Sequence, residues 1–163
     1  MQLVLKKKAV SLKERFTVTD AQENALYNVE GKAFSWGHQL DVTDASGAHV
    51  AHIRQKLLAL TPHYFITLDG GEEMELKGHL TLIHPHYTLE TPEGDWEVRG
   101  DLTQHEYTIT SGEATIASVS EKWFAWGDTY LVDVAEDKNA VPALCVMIAL
   151  NCVDADTIAA SAN

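Results

Sequence analysis

Hydrophobic and polar residues alternate along most of this chain. The alternation is visible in Arg15-Phe16-Thr17-Val18-Thr19, Ala25-Leu26-Tyr27-Asn28-Val29 and Gln39-Leu40-Asp41-Val42-Thr43. It returns in His79-Leu80-Thr81-Leu82-Ile83, Tyr87-Thr88-Leu89, Trp96-Glu97-Val98 and Glu106-Tyr107-Thr108-Ile109-Thr110. A period of two sends successive side chains to opposite faces, so each segment reads as a half-buried strand. Turn signals punctuate them: Asp44-Ala45-Ser46-Gly47, Asp69-Gly70-Gly71, Pro92-Glu93-Gly94-Asp95 and Ser111-Gly112. Turns recur about every ten residues, the rhythm of an all-β barrel or sandwich.

The pattern changes near the C-terminus. Ala140-Val141-Pro142-Ala143-Leu144-Cys145-Val146-Met147-Ile148-Ala149-Leu150 is apolar on every side. Asn139 or Asp137 can open a helix there, and Pro142 is tolerated in a first turn. A helix that is hydrophobic all round must be enclosed. Over residues 139–153 it is roughly 20 Å long, too short to cross a bilayer. A closed sheet is the simplest container, and it removes exposed strand edges. The sequence thus predicts one domain: a barrel over about residues 1–134, a core helix over 139–153 and a tail over 154–163.

An internal echo stands out. Lys32-Ala33-Phe34-Ser35-Trp36-Gly37-His38-Gln39-Leu40 resembles Lys122-Trp123-Phe124-Ala125-Trp126-Gly127-Asp128-Thr129-Tyr130, with Phe, Trp and Gly at the same offsets. Glycine after each Trp permits positive φ or a bulge. Large aromatics mostly fill cores, so two corner turns that pack their Phe and Trp inward are expected.

These segments carry a family resemblance. Lys32–Val42, His52-Ile53-Arg54-Gln55-Lys56-Leu57-Leu58, Glu121–Val134 and the apolar helix resemble the LURP-one-related family. The resemblance implies the tubby C-terminal-like fold, shared with tubby proteins and phospholipid scramblases. That fold is a closed antiparallel barrel of about twelve strands around a hydrophobic C-terminal helix. Tubby domains bind phosphoinositides through a basic surface site, and scramblases are lipid-associated and calcium-responsive. For the LURP-one-related members the resemblance implies no general biochemical activity.

Charge narrows the partners. The 163 residues hold 24 acids against 12 Lys and Arg, a formal net charge of -12. That excess argues against a nucleic-acid binder, which needs a basic face. The imbalance is uneven. The first twenty residues carry Lys6, Lys7, Lys8, Lys13 and Arg15 against Glu14 and Asp20, whereas the remainder is strongly acidic. Cys145 and Cys152 would lie on one helix face with Cα atoms roughly 10 Å apart, too far for a disulfide. Buried free thiols suit a reducing compartment. The short apolar stretch of MQLVLKKKAV precedes its charges, unlike a signal peptide. The expectation is a cytoplasmic chain without a transmembrane segment, at most peripheral at a membrane.

Candidate chemistry is sparse. Lys6, Lys7, Lys8, Lys13, Arg15, Arg54 and Lys56 are the candidates for an anion or lipid-headgroup site, since charge-assisted bonds to phosphate suit Arg and Lys. The bland alternative is a lysine-guarded strand edge. His84 and His86, with His79 nearby, are weak metal candidates, because Pro85 makes that segment an edge or a bend and no third ligand is identifiable. Asp128, Asp133, Glu136 and Asp137 lack the spacing of an EF-hand-type calcium loop, and Asp154 and Asp156 read as exposed acids past the helix. No nucleophile elbow, phosphate loop or dinucleotide fingerprint is present. Gly70-Gly71 reads as a hairpin turn. The expectation is a non-enzymatic binding or regulatory module without a cofactor, engaging an anionic phospholipid headgroup or a protein partner. The alternatives are a metal-dependent enzyme using the His cluster, and a structural or interaction protein with no small ligand.

Overall fold

A computed structural model describes residues 1–8, 13–81, 84–101, 106–124 and 127–162, with backbone alone at 122–124 and 127–128. The strands are β1 (Gln2–Lys7), β2 (Arg15–Thr19), β3 (Ala25–Gly31), β4 (Gln39–Asp44), β5 (His49–Gln55) and β6 (His63–Leu68). They continue as β7 (Glu73–Gly78), β8 (His86–Glu90), β9 (Trp96–Asp101), β10 (Glu106–Ser111), β11 (Ala114–Phe124) and β12 (Gly127–Val134). A single 3-10 turn (Asp137–Asn139) leads into the helix α1 (Ala140–Ser161). Each strand pairs antiparallel with the next, and β1 closes the ring against β12 with Leu3 opposite Val132 and Leu5 opposite Tyr130. The closed barrel around a C-terminal helix is the architecture expected from the residue pattern, and its twelve strands match the number the family resemblance implies.

Alternation explains the walls. In β4, Leu40 and Val42 are buried while Gln39, Asp41 and Thr43 are not. In β6, Tyr64 and Ile66 point in beside the half-buried His63, Phe65 and Thr67. The inward residues meet α1, which is buried at Ala140 and from Pro142 through Cys152. No one-sided helix could do this; its all-round apolar sequence is what a surrounding wall requires. The stretch Asp137–Ser161 is long and apolar enough to span a bilayer, yet here the strands wrap its first half.

Several expectations need revision. β1, β5, β6, β7, β11 and β12 lie outside the alternating segments named above. Residues 79–81 are not strand, although His79–Ile83 alternates; 82 and 83 lie outside the described residues. Pro62, opposite Gly78, supplies no N–H to β7, and on the β8 side the His79 amide adds one further bond, to the His86 carbonyl at 2.8 Å, before the strand ends. The helix does not stop at Val153 but continues to Ser161, since Ala155, Ala159 and Ala160 favour helix and neither Gly nor Pro interrupts. Phe34 and Trp36 do not fill the core: they are 100% and 86% exposed. The helix already occupies the interior, and φ of 59° at Phe34 and 75° at Gly37 turns their loop outward. The second copy's Trp126 and the side chains of 122–128 lie outside the described residues.

The up-and-down topology gives the barrel two unlike ends. Connections that follow odd-numbered strands, up to β11, share one end, and α1 emerges there; connections that follow even-numbered strands share the other. The second end carries Asp20, Glu23, Asp69, Glu72, Glu93, Asp95, Glu113, Glu136 and Asp137 against Lys138. The first end, called the rim below, carries Lys8, Lys13, Lys32 and Lys56 in its described connections, with Glu14 the acid there.

Candidate functional site

The rim is built from three loops and the end of α1. Glu14 precedes β2, His38 precedes β4, Gln55 ends β5, and Cys152 and Asp156 stand four residues apart on one face of α1. Two close approaches bring the loops together. The Gly31 amide donates to the Glu14 carbonyl at 2.7 Å, and a Cβ on Gly31 would lie 3.2 Å from the Glu14 Cβ. Gly37 takes φ 75°, a conformation that favours glycine, and a Cβ there would also press on the Leu57 side-chain tip at 2.7 Å where the β3–β4 loop lies against the β5–β6 loop.

Within this frame His38 is held between two carboxylates. Its Nδ1 lies 2.9 Å from Glu14 Oε2 and its Nε2 lies 2.9 Å from Asp156 Oδ1. The His38 amide donates to Gln55 Oε1 at 2.9 Å, and Gln55 Nε2 reaches Asp156 Oδ2 at 3.4 Å. Ionised carboxylates only accept, so the ring must donate from both nitrogens, which makes it an imidazolium. The hydrogen bond to Cys152 and that to Glu14, against the opposing effect of burial and with Asp156 adding, push His38 up to about 11. Burial resists ionisation of Glu14, but the bond and charge of His38 outweigh it and hold the carboxyl below its ordinary value. Cys152 is fully buried, and burial raises its thiol despite the imidazolium beside it. The donor atoms of Glu14, His38 and Cys152 all lie within 4.8 Å of one another. Beneath them the Tyr64 hydroxyl is buried with no hydrogen-bond partner among the described residues.

Two cavities open beside this clasp. One of about 380 Å³ is lined by Lys13, Glu14, Lys32, Phe34, His38 and Asp156 among others. The second, about 620 Å³, runs under Lys56, Leu57, Leu58 and Leu60 against Val153 and Thr157. Gln55 and Asp156 belong to both.

The seven basic candidates are dispersed. Lys8, Lys13 and Lys56 stand on the rim, and the last two line the cavities. Lys7 turns toward the helix and donates to Asn151 Oδ1 at 3.1 Å. Lys6 pairs with Glu23 at 3.6 Å and Arg15 with Glu30 at 3.6 Å. Arg54 stacks over Phe65 on the outer wall at 4.5 Å. His86 is committed to the Glu97 carboxylate and stacks on His79 at 4.3 Å; His84 is exposed in the preceding connection. Asp156 is the exposed acid expected, though it stands on α1 rather than past it, and it also bonds His38. Sequence reasoning passed over Glu14, His38 and Cys152 because nothing along the chain links them. The one available signal was His38 closing the Trp36-Gly37-His38 echo.

The rim also concentrates exposed apolar side chains. Among the described residues the large exposed hydrophobics are Met1, Phe34, Trp36, Leu57, Leu58, Leu60, Leu80 and Ile158. All but Met1 lie in rim connections or on the protruding end of α1.

Relatives share this architecture. A solved structure of an Arabidopsis thaliana protein superposes with a TM-score of 0.56 at 14% identity, covering 92% of this chain and 91% of that one. The uncharacterized protein YxjI of Bacillus subtilis is 35% identical over 153 residues, 94% of this chain and 93% of that protein. The LURP-one-related family model matches residues 1–151, so Cys152 and Asp156 fall just past the matched segment. Wall, closure and the first half of the core helix thus lie within the match, and the chain belongs to the LURP-one-related family.

Proposed function

We propose that the chain is a non-enzymatic module that docks its rim on an anionic membrane surface. The observation that carries this reading is that, among the described residues, every exposed large apolar side chain but Met1 lies at the end that also holds Lys8, Lys13, Lys32 and Lys56. Scattered exposed leucines need no explanation, but apolar residues gathered at one end and edged by lysine do. Backbone strain points the same way. Phe34 at φ 59° and Leu58 at φ 58° occupy the left-handed region, where bulky side chains rarely sit. A fold retains such conformations where the surroundings or a function demand them. Here the strain holds out two side chains that are fully solvated.

Charge supports an orientation. Lysines near an anionic leaflet gain about 1 kcal/mol each. The acidic opposite end is repelled, so the -12 net charge orients the barrel without forbidding contact. Apolar side chains then enter the headgroup region, and the two cavities beside Lys13, Lys32 and Lys56 offer room for a headgroup.

Co-sedimentation with vesicles tests the reading. Vesicles of phosphatidylcholine with 30% (about one lipid in three) phosphatidylserine should retain the protein at low salt, and neutral vesicles should retain less. Equal failure on both, including vesicles doped with phosphoinositide, would refute the membrane reading and favour a protein partner at the rim.

A further inference from the structure

We propose that Glu14, His38 and Cys152 form a binding site for a divalent transition-metal ion of the zinc class, with Asp156 positioning the histidine. The three residues offer a carboxylate, an imidazole and a sulfur, the mixed donor set that suits zinc. Their donor atoms already lie within 4.8 Å of one another. Zinc bonds of about 2.0–2.3 Å put tetrahedral ligands about 3.3–3.7 Å apart, so modest side-chain adjustment closes the site.

The surroundings fit this use. His38 Nδ1 faces Glu14 at 2.9 Å, which places an ion shared by the two on the Nδ1 side. Nε2 remains bonded to Asp156 at 2.9 Å. A ligating histidine whose second nitrogen is held by a carboxylate is the usual supporting arrangement. Asp156 is itself fixed by Gln55. The cavity of about 380 Å³ that Glu14, His38 and Asp156 line provides an entry path and room for water at a fourth position. The Tyr64 hydroxyl is buried and without a hydrogen-bond partner among the described residues, and Tyr64 lines the neighbouring cavity together with Asp156.

Proton bookkeeping closes. In the metal-free state two carboxylates flank one imidazolium beside a neutral thiol. An entering dication displaces the proton on Nδ1 and the proton on sulfur. Both leave to solvent, and the formal charge of the cluster is unchanged. No redox step is involved.

Cobalt(II) is the probe, because a thiolate ligand gives a sulfur-to-cobalt charge-transfer band and a tetrahedral site gives intense visible bands. The full chain, stripped with chelator, is titrated with cobalt and then with zinc. One equivalent of cobalt should develop both bands, and zinc should abolish them. Cys152→Ser should remove the charge-transfer band, whereas Cys145→Ser and His86→Gln should leave it intact. Asp156→Asn should weaken the affinity roughly tenfold to a hundredfold while keeping the spectrum. Absence of the bands in the unaltered chain, or their survival in Cys152→Ser, would overturn the proposal. Should Cys152→Ser fail to fold, melting of the unaltered chain decides. A zinc-dependent rise reversed by chelator supports the site, and no rise overturns it.

Discussion

Replacing Leu58 by glycine should stabilise the protein and weaken its hold on a membrane. Leu58 sits at φ 58° with its side chain fully in solvent. A left-handed conformation costs a bulky L-residue about 1–2 kcal/mol. Glycine removes that cost but loses about 0.5–1 kcal/mol to the entropy of the unfolded chain. No packing is lost, because the side chain makes none. The net gain is about 0–1.5 kcal/mol, or roughly 0–6 °C in melting temperature for a chain of this length. The same change deletes an apolar side chain from the docking face. Full transfer of a leucine out of water is worth about 1.5–3 kcal/mol. Each 1.4 kcal/mol is about tenfold in affinity, so vesicle binding should fall about tenfold to a hundredfold. Calorimetry and vesicle co-sedimentation on one preparation read both effects. A lower melting temperature would refute the strain argument. Unchanged vesicle binding would refute the placement of Leu58 at the membrane.

Exchanging Lys13, Lys32 and Lys56 together for Gln should lower affinity for anionic vesicles by about 3 kcal/mol and flatten its salt dependence, read by co-sedimentation across ionic strength. Leu144→Ala opens a cavity in the filled barrel, since Leu144 is wholly buried, and should cost about 2–5 kcal/mol in denaturant unfolding. Leu150→Asp places an unpaired charge inside the wall and should abolish cooperative melting; a soluble variant with a sharp transition would show that the helix is not enclosed. In chelator, stability should depend on pH through the clasp. His38 is raised from 6.5 to about 11, so its contribution is complete below pH 6.5 and is lost as pH rises through 11. The slope on that limb is up to about 1.4 kcal/mol per pH unit, and His38→Gln should remove it. Glu14 is lowered from 4.5, so its contribution holds above that value and fades in acid below it.

The architecture was readable because its signals are local. Alternation in Gln39–Asp44 marks a wall, and the all-round apolar run after Asn139 marks a filling that only closure can enclose. The rim was misread where local rules compete with occupancy. Phe34 and Trp36 look like core payload, but α1 had already taken that volume. Asp156 is the exposed acid its sequence suggests, but its partner His38 is 118 residues away, so the pairing left no local trace. The clasp unites residues from the β1–β2 loop, the β3–β4 loop and α1, and only barrel closure makes them neighbours. No spacing rule reports such a convergence. The helix end is a smaller case: an apolar count stops at Val153, while alanine propensity and the Asp156 anchor carry the turn to Ser161.

The order of elements along the chain has a consequence for biosynthesis. Every strand is made before the helix that fills them, and β1 must wait for β12 to close the ring. Until then, any sheet the strands form has an apolar face with nothing to cover it. Contacts that depend on such distant segments are slow to form and leave the intermediate prone to association. A segment synthesised after all twelve strands supplies the interior, so this barrel matures only once α1 follows them. A chain cut short of α1 would present its inner face to the chaperones and proteases that sort unfinished proteins.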